Sequence, residues 1–302
     1  MNIFKKNKTL EEKKRLTPFL IVAAILIGIY ALTLILPLCW AIFSSLKLGI
    51  DFADTVFGWP KYGFKWRNWI DAFEKINLKV MKDGQGMKTV TFIEMFGYSM
   101  FYCVVTSFIA IFSRSACAYV VAKYKDLGWP RFVHTLVIIL MTVSFPSNLA
   151  VTIRFYKFTN LYNNFLLCTI MSFGFTGAYF LYFYAAYVGV SKEYSEAAEI
   201  DGASQLVVML RVIMPMVSNI FTALFILQFI ACWNDYSPSL VYLPSYPMVA
   251  YGLFRYQFAT GATSSVPMKL SGCTLVIIPI LTLFIVFRNK IISSVSIGGL
   301  KG

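Results

Sequence analysis

The chain has 302 residues, of which 58% are hydrophobic and only 14% charged, too little charge for an ordinary soluble domain, which carries about 25%. The mean hydropathy of +0.68 points to a lipid bilayer as its main solvent. The net charge of +13 does not indicate a nucleic-acid partner: no basic stripe lies on a soluble face, and membrane proteins collect Lys and Arg in cytoplasmic loops.

A hydrocarbon core of about 30 Å needs about 20 apolar residues per helix. In chain order the runs that qualify are 18–45, 96–122, 132–153, 165–190, 217–236 and 270–287. They predict an all-α membrane protein with six transmembrane helices, forming one transmembrane domain over 1–302. Lys5, Lys6, Lys8, Lys13, Lys14 and Arg15 crowd the segment 1–17 and place the N-terminus in the cytoplasm. Six spans return the segment 288–302, with Arg288, Lys290 and Lys301, to the same side. Lys123, Lys125 and Arg131, in the short loop after the second run, agree with that orientation. The first run is longer than the core of a signal peptide, about 7–15 residues. Leu38 is also bulky where a lipoprotein site before Cys39 requires a small residue, so the run is read as a retained span.

The first outer loop, 47–91, mixes both charge signs with Trp59, Trp66 and Trp69 and is expected on the membrane surface, where Trp is favoured. Arg114 lies about two turns inside the end of the second run, where it is expected to snorkel to the headgroups. The stretch Ser144-Phe145-Pro146-Ser147-Asn148 marks a break near the outer end of the third run. A second long outer loop, 237–268, is rich in Tyr, Pro and Gly. Polar groups inside spans are costly unless they face protein or water. Asn148, Asn219, Gln228, Asn234 and Asp235, with the aromatics Trp233 and Tyr236, are therefore candidates for a substrate path. Bonding between helices is the alternative role for each polar one.

The cysteines, Cys39, Cys103, Cys117, Cys168, Cys232 and Cys273, sit in apolar stretches without a C-x-x-C pair, and His134 is the only histidine. No disulfide framework and no metal site is expected. One histidine and no nucleophile–base motif also argue against an enzyme.

Between the fourth and fifth runs lies the cytoplasmic segment 191–215. Ser191 is a plausible N-cap, and Glu193, Glu196 and Glu199 sit near the helix start, where the dipole favours negative charge. Gly202 can stop the helix in a left-handed conformation, Ser204 is placed to cap a second short helix, and Pro215 suits a first helical turn. Ala197 and Ala198 leave a low surface for another protein's backbone. Glu196 beside them offers a carboxylate suited to an arginine. The pattern describes two short helices joined by a sharp bend, a docking element.

Glu196-Ala197-Ala198, then Gly202, then Val212-Ile213-Met214-Pro215 resembles the signature of the binding-protein-dependent ABC importer permeases: Glu-Ala-Ala, three residues, Gly, nine residues, Ile-x-Leu-Pro. The spacing matches throughout, with Val for Ile and Met for Leu. Asp201-Gly202-Ala203-Ser204 looks like the carbohydrate branch, and the end Ile297-Gly298-Gly299-Leu300-Lys301-Gly302 resembles the tail of maltose-type permeases. The resemblance covers about 97–302 and leaves the first outer loop unmatched.

It implies a multi-pass protein of a bacterial or archaeal cytoplasmic membrane. Its coupling helix would dock on an ATPase through Glu196, Ala197, Ala198, Asp201, Gly202 and Pro215, with tail contacts from Gly298, Gly299 and Lys301. The implied partners are a second permease subunit in a heterodimer, two ATPase subunits, an extracytoplasmic sugar-binding protein and membrane lipid. ATP and Mg would be bound by the ATPase partner and not by this chain, which has no Gly-Lys pair and so no phosphate-binding loop. The resemblance implies import of a sugar or oligosaccharide. The same machinery carrying a polyamine, phosphate or peptide is the nearest alternative. A stand-alone secondary transporter would show internal repeats or paired broken helices, and the sequence shows neither.

Overall fold

A computed structural model describes residues 18–82, 86–143, 149–258 and 265–297. Its elements are α1 (Pro18–Ser45), α2 (Gly49–Asp54), α3 (Arg67–Lys75), β1 (Leu78–Lys82), β2 (Gly86–Val90), α4 (Phe92–Lys123), α5 (Gly128–Thr142), α6 (Leu149–Phe158), α7 (Phe165–Ile170), α8 (Ala178–Val188), α9 (Glu193–Ile200), α10 (Gln205–Val207), a π-helical segment (Val208–Ile213), α11 (Met214–Met216), α12 (Ser218–Asn234), a second π turn (Pro238–Tyr242), α13 (Val249–Gln257) and α14 (Val266–Ile297).

The fold is built on α4. Its start is fixed by a capping box: the Glu94 amide donates to Thr91 Oγ1 at 3.4 Å, and the Thr91 amide donates to Glu94 Oε2 at 3.0 Å. Its buried face carries Ser99, Cys103, Ser107, Ala110, Ala118 and Ala122 at helical spacing. Small residues there let α8 and α12 approach closely, which is how helices associate where lipid gives no hydrophobic drive. α14 packs on α12, α3 and α1, whereas α1 leans on α14 and leaves its Leu and Ile side chains exposed. Around the C-terminal half of α4 the core holds Tyr119, Phe180, Phe183, Tyr187, Val208 and Ile213. Around its N-terminal half it holds Ile76, Met95, Phe229, Trp233, Tyr256 and Val276.

Among the described residues three helices, Phe19–Ser45, Phe92–Lys123 and Val266–Arg288, are long and apolar enough to cross a membrane. A fourth span arises if the pair Gln205–Met216 and Ser218–Asn234, bent by 80°, counts as one. The chain is thus a membrane protein by the length and composition of its helices. The first, second, fifth and sixth expected runs each correspond to a helix, although α14 starts earlier and extends further than 270–287. The other two runs do not form single helices. Residues 132–153 divide into α5 and α6, and the stretch 144–148 between them, with the path candidate Asn148, lies outside the described residues.

Residues 165–190 divide into α7 and α8 around the unwound stretch 171–177. The break contains Gly174 and Gly177, the latter at φ +112°, where a side chain would be strained. Its free carbonyls are taken by α4. Ser113 Oγ donates to the Gly174 carbonyl at 2.8 Å, and Arg114 Nε donates to that of Thr176 at 2.8 Å. Arg114 Nη1 also donates to the Ala110 carbonyl at 2.8 Å. Arg114 is half-buried against this break, where the sequence led us to expect it to reach for the headgroups. The reason is that an unwound backbone in an apolar setting demands donors, and a guanidinium supplies several.

The first long loop is a structured module of α2, α3 and an antiparallel hairpin in the register Leu78↔Val90 and Lys82↔Gly86. It is pinned to the end of α1. Asn68 Nδ2 donates to the carbonyls of Ser45 (2.9 Å) and Lys47 (2.8 Å), and Trp69 Nε1 donates to Ser45 Oγ (2.9 Å). Lys47 is buried, with Nζ donating to the carbonyls of Thr55 (3.2 Å) and Val56 (3.0 Å). Burial pushes its ammonium pKa below the ordinary lysine value, and nearby Asp51 opposes the shift. The cysteines are free thiols, two of them buried, and His134 lies against the Tyr184 ring with centroids 4.4 Å apart.

Candidate docking site

Residues 191–216 fold as a helix, a tight bend and a second helix. α9 begins at Glu193 with Lys192, not the expected Ser191, at its N-cap; the Ser191 hydroxyl still accepts from the Glu193 amide at 3.4 Å. Glu193 and Glu196 occupy its first turn, where amides lack helical partners and carboxylates are favoured. Gly202 follows the C-cap Asp201 at φ +83°. The Gly202 amide donates to the Glu199 carbonyl (3.0 Å) and the Ala203 amide to that of Ala198 (2.9 Å), the two bonds of a Schellman closure. Ser204 stands at the head of α10 in an extended conformation, but its side chain makes no capping bond, contrary to expectation. Its carbonyl instead accepts from the Val208 amide at 2.9 Å, which joins the turn to the helix without the hydroxyl.

The helix then widens into the π segment and reaches Pro215, which lies in the first two positions of α11. Proline has no N–H to return to the preceding turn, and a π bulge is one way a helix absorbs that loss.

The two alanines divide their work. Ala198 packs, with Ala203, against the core of Tyr119, Tyr187 and Ile213, whereas Ala197 is exposed beside the exposed Glu196. Among the described residues the Glu196 carboxylate has no ion-pair partner. Next to it, α9 and the end of α4 enclose a groove of about 250 Å³, lined in part by Lys123, Lys125, Lys192 and Glu196. The element is fastened to the body by Lys123, the last residue of α4. Lys123 Nζ donates to Glu199 Oε1 at 2.6 Å and also to Gln205 Oε1. An exposed pair, Lys192 to Asp126 at 3.4 Å, adds a weaker tie. The Lys123 bond holds the Glu199 carboxyl below the usual carboxylate range, with Gln205 adding to the effect. Sequence reasoning assigned Lys123 only to a positive loop; the one available signal was a cation at a helix end facing an acidic neighbour segment.

The path candidates are spread over α12 and the residues that follow it. Trp233 is buried, edge-on to Phe96 and stacked on Phe229, with Nε1 donating to the Val276 carbonyl at 3.3 Å. Gln228 is half-buried, with Nε2 on Cys232 Sγ at 3.4 Å, and Asn219 is half-buried. Asn234, Asp235 and Tyr236 are exposed. Asn234 donates back to the Ile230 carbonyl (3.0 Å), Asp235 accepts from the Ser237 amide (2.9 Å), and Tyr236 stacks on Phe254 at 4.5 Å. The tail residues Gly298, Gly299 and Lys301 lie outside the described residues. No group of three His, Cys, Asp or Glu placed to hold a metal occurs among the described residues.

No family profile matches the sequence. It is 26% identical over 211 residues to an arabinooligosaccharides transport system permease protein of Halalkalibacterium halodurans, covering 68% of this chain and 74% of that one. It is 23% identical over 282 residues to a multiple sugar-binding transport system permease protein of Streptococcus mutans, covering 92% and 95%. A probable starch degradation products transport system permease protein of Thermoanaerobacterium thermosulfurigenes is 28% identical over 195 residues, covering 64% and 70%. Among solved structures, a bacterial ABC transporter involved in the import of the acidic polysaccharide alginate shares the fold. Its TM-score is 0.72 at 19% identity, with 90% of this chain and 95% of that chain covered. Its similarity to several sugar-system permease proteins marks this chain as a transport subunit of the permease kind, and its fold is that of a bacterial ABC transporter.

Proposed function

We propose that the chain is a transmembrane subunit of an ATP-driven importer that passes a sugar or oligosaccharide across the cytoplasmic membrane. The observation that carries the proposal is the closed helix–bend–helix of α9 to α11, which turns Glu196 and Ala197 outward and is fastened to the long helix α4. Sugar-system names among the relatives favour carbohydrate as the cargo.

In this reading the chain crosses the membrane six times, with both termini in the cytoplasm. α5 with α6, and α7 with α8, are broken spans of the kind tolerated where the backbone is buried in protein or lines a cavity. α9 is the coupling helix of the 191–215 loop, and Glu196, Ala197, Ala198, Asp201, Gly202 and Pro215 form or shape its docking surface. ATP and Mg belong to two cytosolic ATPase subunits. A second permease and an extracytoplasmic binding protein complete the machine, and Gly298, Gly299 and Lys301 reach toward the ATPase side. Exposed Asn234, Asp235 and Tyr236, with half-buried Asn219 and Gln228, are the groups a passing sugar would meet at the seam with the second permease. Trp233, bonded to α14, supports them from behind.

Glu196→Ala tests the docking role. Reduced ATP-dependent uptake, or reduced recovery of the ATPase with the tagged chain, is expected. Uptake and recovery equal to the parent protein would refute it.

A further inference from the structure

One ammonium group joins both arms of the docking element to the principal helix. Lys123 closes α4, a helix of 32 residues and so about 48 Å long. Its Nζ holds Glu199, near the end of α9, and Gln205, the first residue of α10, on either side of the Gly202 bend. The Lys123 side chain is largely withdrawn from solvent, 19% exposed against 38% for Glu199. It also lies over the rings of Tyr119 and Tyr124, with Nζ 6.0 and 5.9 Å from their centroids.

The other connections seen between α9 and the body are of different kinds. Ala198 and Ala203 rest on the core through small apolar contacts, which carry no directional bond. Lys192 and Asp126 are 65% and 75% exposed, where an ion pair adds little. The Lys123 junction is directional, charge-assisted and partly shielded from water, so it resists displacement of α9 relative to α4. Beyond it, α4 is packed along its length against α8 and α12 and also meets α7, so a displacement of its end is carried to those helices.

We infer that Lys123 is the mechanical link that carries movement of the docking helix into α4, with Glu199 and Gln205 as its two anchors. The inference rests on the docking role proposed above, but it concerns the interior side of the element rather than the surface a partner touches.

The test uses the complex purified from native membranes through a tag on this chain, with spin labels replacing the exposed residues Ile29 on α1 and Ile93 on α4. ATP hydrolysis and the label-to-label distance are measured with and without ATP and vanadate. The parent complex should hydrolyse ATP and shift the distance; if it does neither, the importer reading itself fails, whatever Lys123 does. Lys123→Met should keep hydrolysis and lose the shift, and Lys123→Arg should restore it. Glu199→Gln, which keeps shape and removes charge, should reduce the shift. A Lys123→Met complex that hydrolyses ATP and shows the full shift overturns the inference. Failure of both Lys123→Met and Glu199→Gln to assemble also overturns it, since the junction would then serve folding and not transmission.

Discussion

Gly202 is the turning point between α9 and α10, and its replacement separates conformational strain from crowding. Its φ of +83° lies where L-residues pay a penalty, and no atom stands within 4 Å of a Cβ built there. The cost of a side chain is therefore the left-handed backbone alone, about 1–2 kcal/mol for alanine. The two closing bonds, Gly202 N to Glu199 O and Ala203 N to Ala198 O, are what that cost opposes. Opening of this turn should become about five- to thirty-fold more frequent, the population change that 1–2 kcal/mol produces. Hydrogen exchange of the Gly202 and Ala203 amides reads the opening directly. Asn tolerates the left-handed region better than Ala, and a β-branched residue worse than either. The expected order of protection is Gly, Asn, Ala, Val, with ATP-dependent uptake falling in the same order. An order that follows side-chain size, with Ala better than Asn, would refute the reasoning.

Trp233→Ala should destabilise the detergent-solubilised protein by about 3–5 kcal/mol through the cavity it leaves beside Phe96 and Phe229. Unchanged thermal stability with altered cargo preference would place the ring in the path instead. Arg114→Met removes donors from the carbonyls of Thr176 and Ala110 and should cost about 1–3 kcal/mol, read as faster exchange across 171–177. Exchange there equal to the parent would contradict the role of Arg114 as a clamp on the break. Because Lys123 holds Glu199 below the carboxylate range, their pair stabilises α9 from the unfolded carboxyl value of about 4.3 up through neutral pH, as long as the ammonium keeps its proton. The contribution is lost as pH falls through the lowered folded value. Exchange protection of α9, corrected for intrinsic rate, should hold from neutral pH down to about 4.3 and drop below it. Glu199→Gln should flatten that drop.

The helices best visible in the sequence are those whose hydrogen bonds are internal. α1 and α12 carry no charge across their length and α14 carries none from 270 to 287, so composition suffices. The α9 bend was equally legible, because Gly202 and the Glu-Ala-Ala spacing act locally. The break at 171–177 was not, because the groups that make it tolerable, Ser113 and Arg114, lie some sixty residues away. An average over hydropathy sees only apolar residues on both sides of it.

The module at 47–91 was hidden for a related reason. Its order comes from Asn68 and Trp69 reaching back to Ser45 and from the burial of Lys47, side chains that composition assigns to a solvated loop. Lys123 was likewise counted as a charge on one side of a membrane, whereas its structural role needs Glu199 and Gln205 folded back onto the end of α4. Trp233 drew attention as an aromatic near polar neighbours, but the fold spends its ring on packing.

The most direct test is purification of this chain, tagged and gently solubilised from its native membrane, followed by identification of its companions and reconstitution in liposomes. The account predicts an ATPase and a second permease in comparable amounts, with solute uptake that requires ATP. A chain that arrives alone and moves solute without ATP would contradict it.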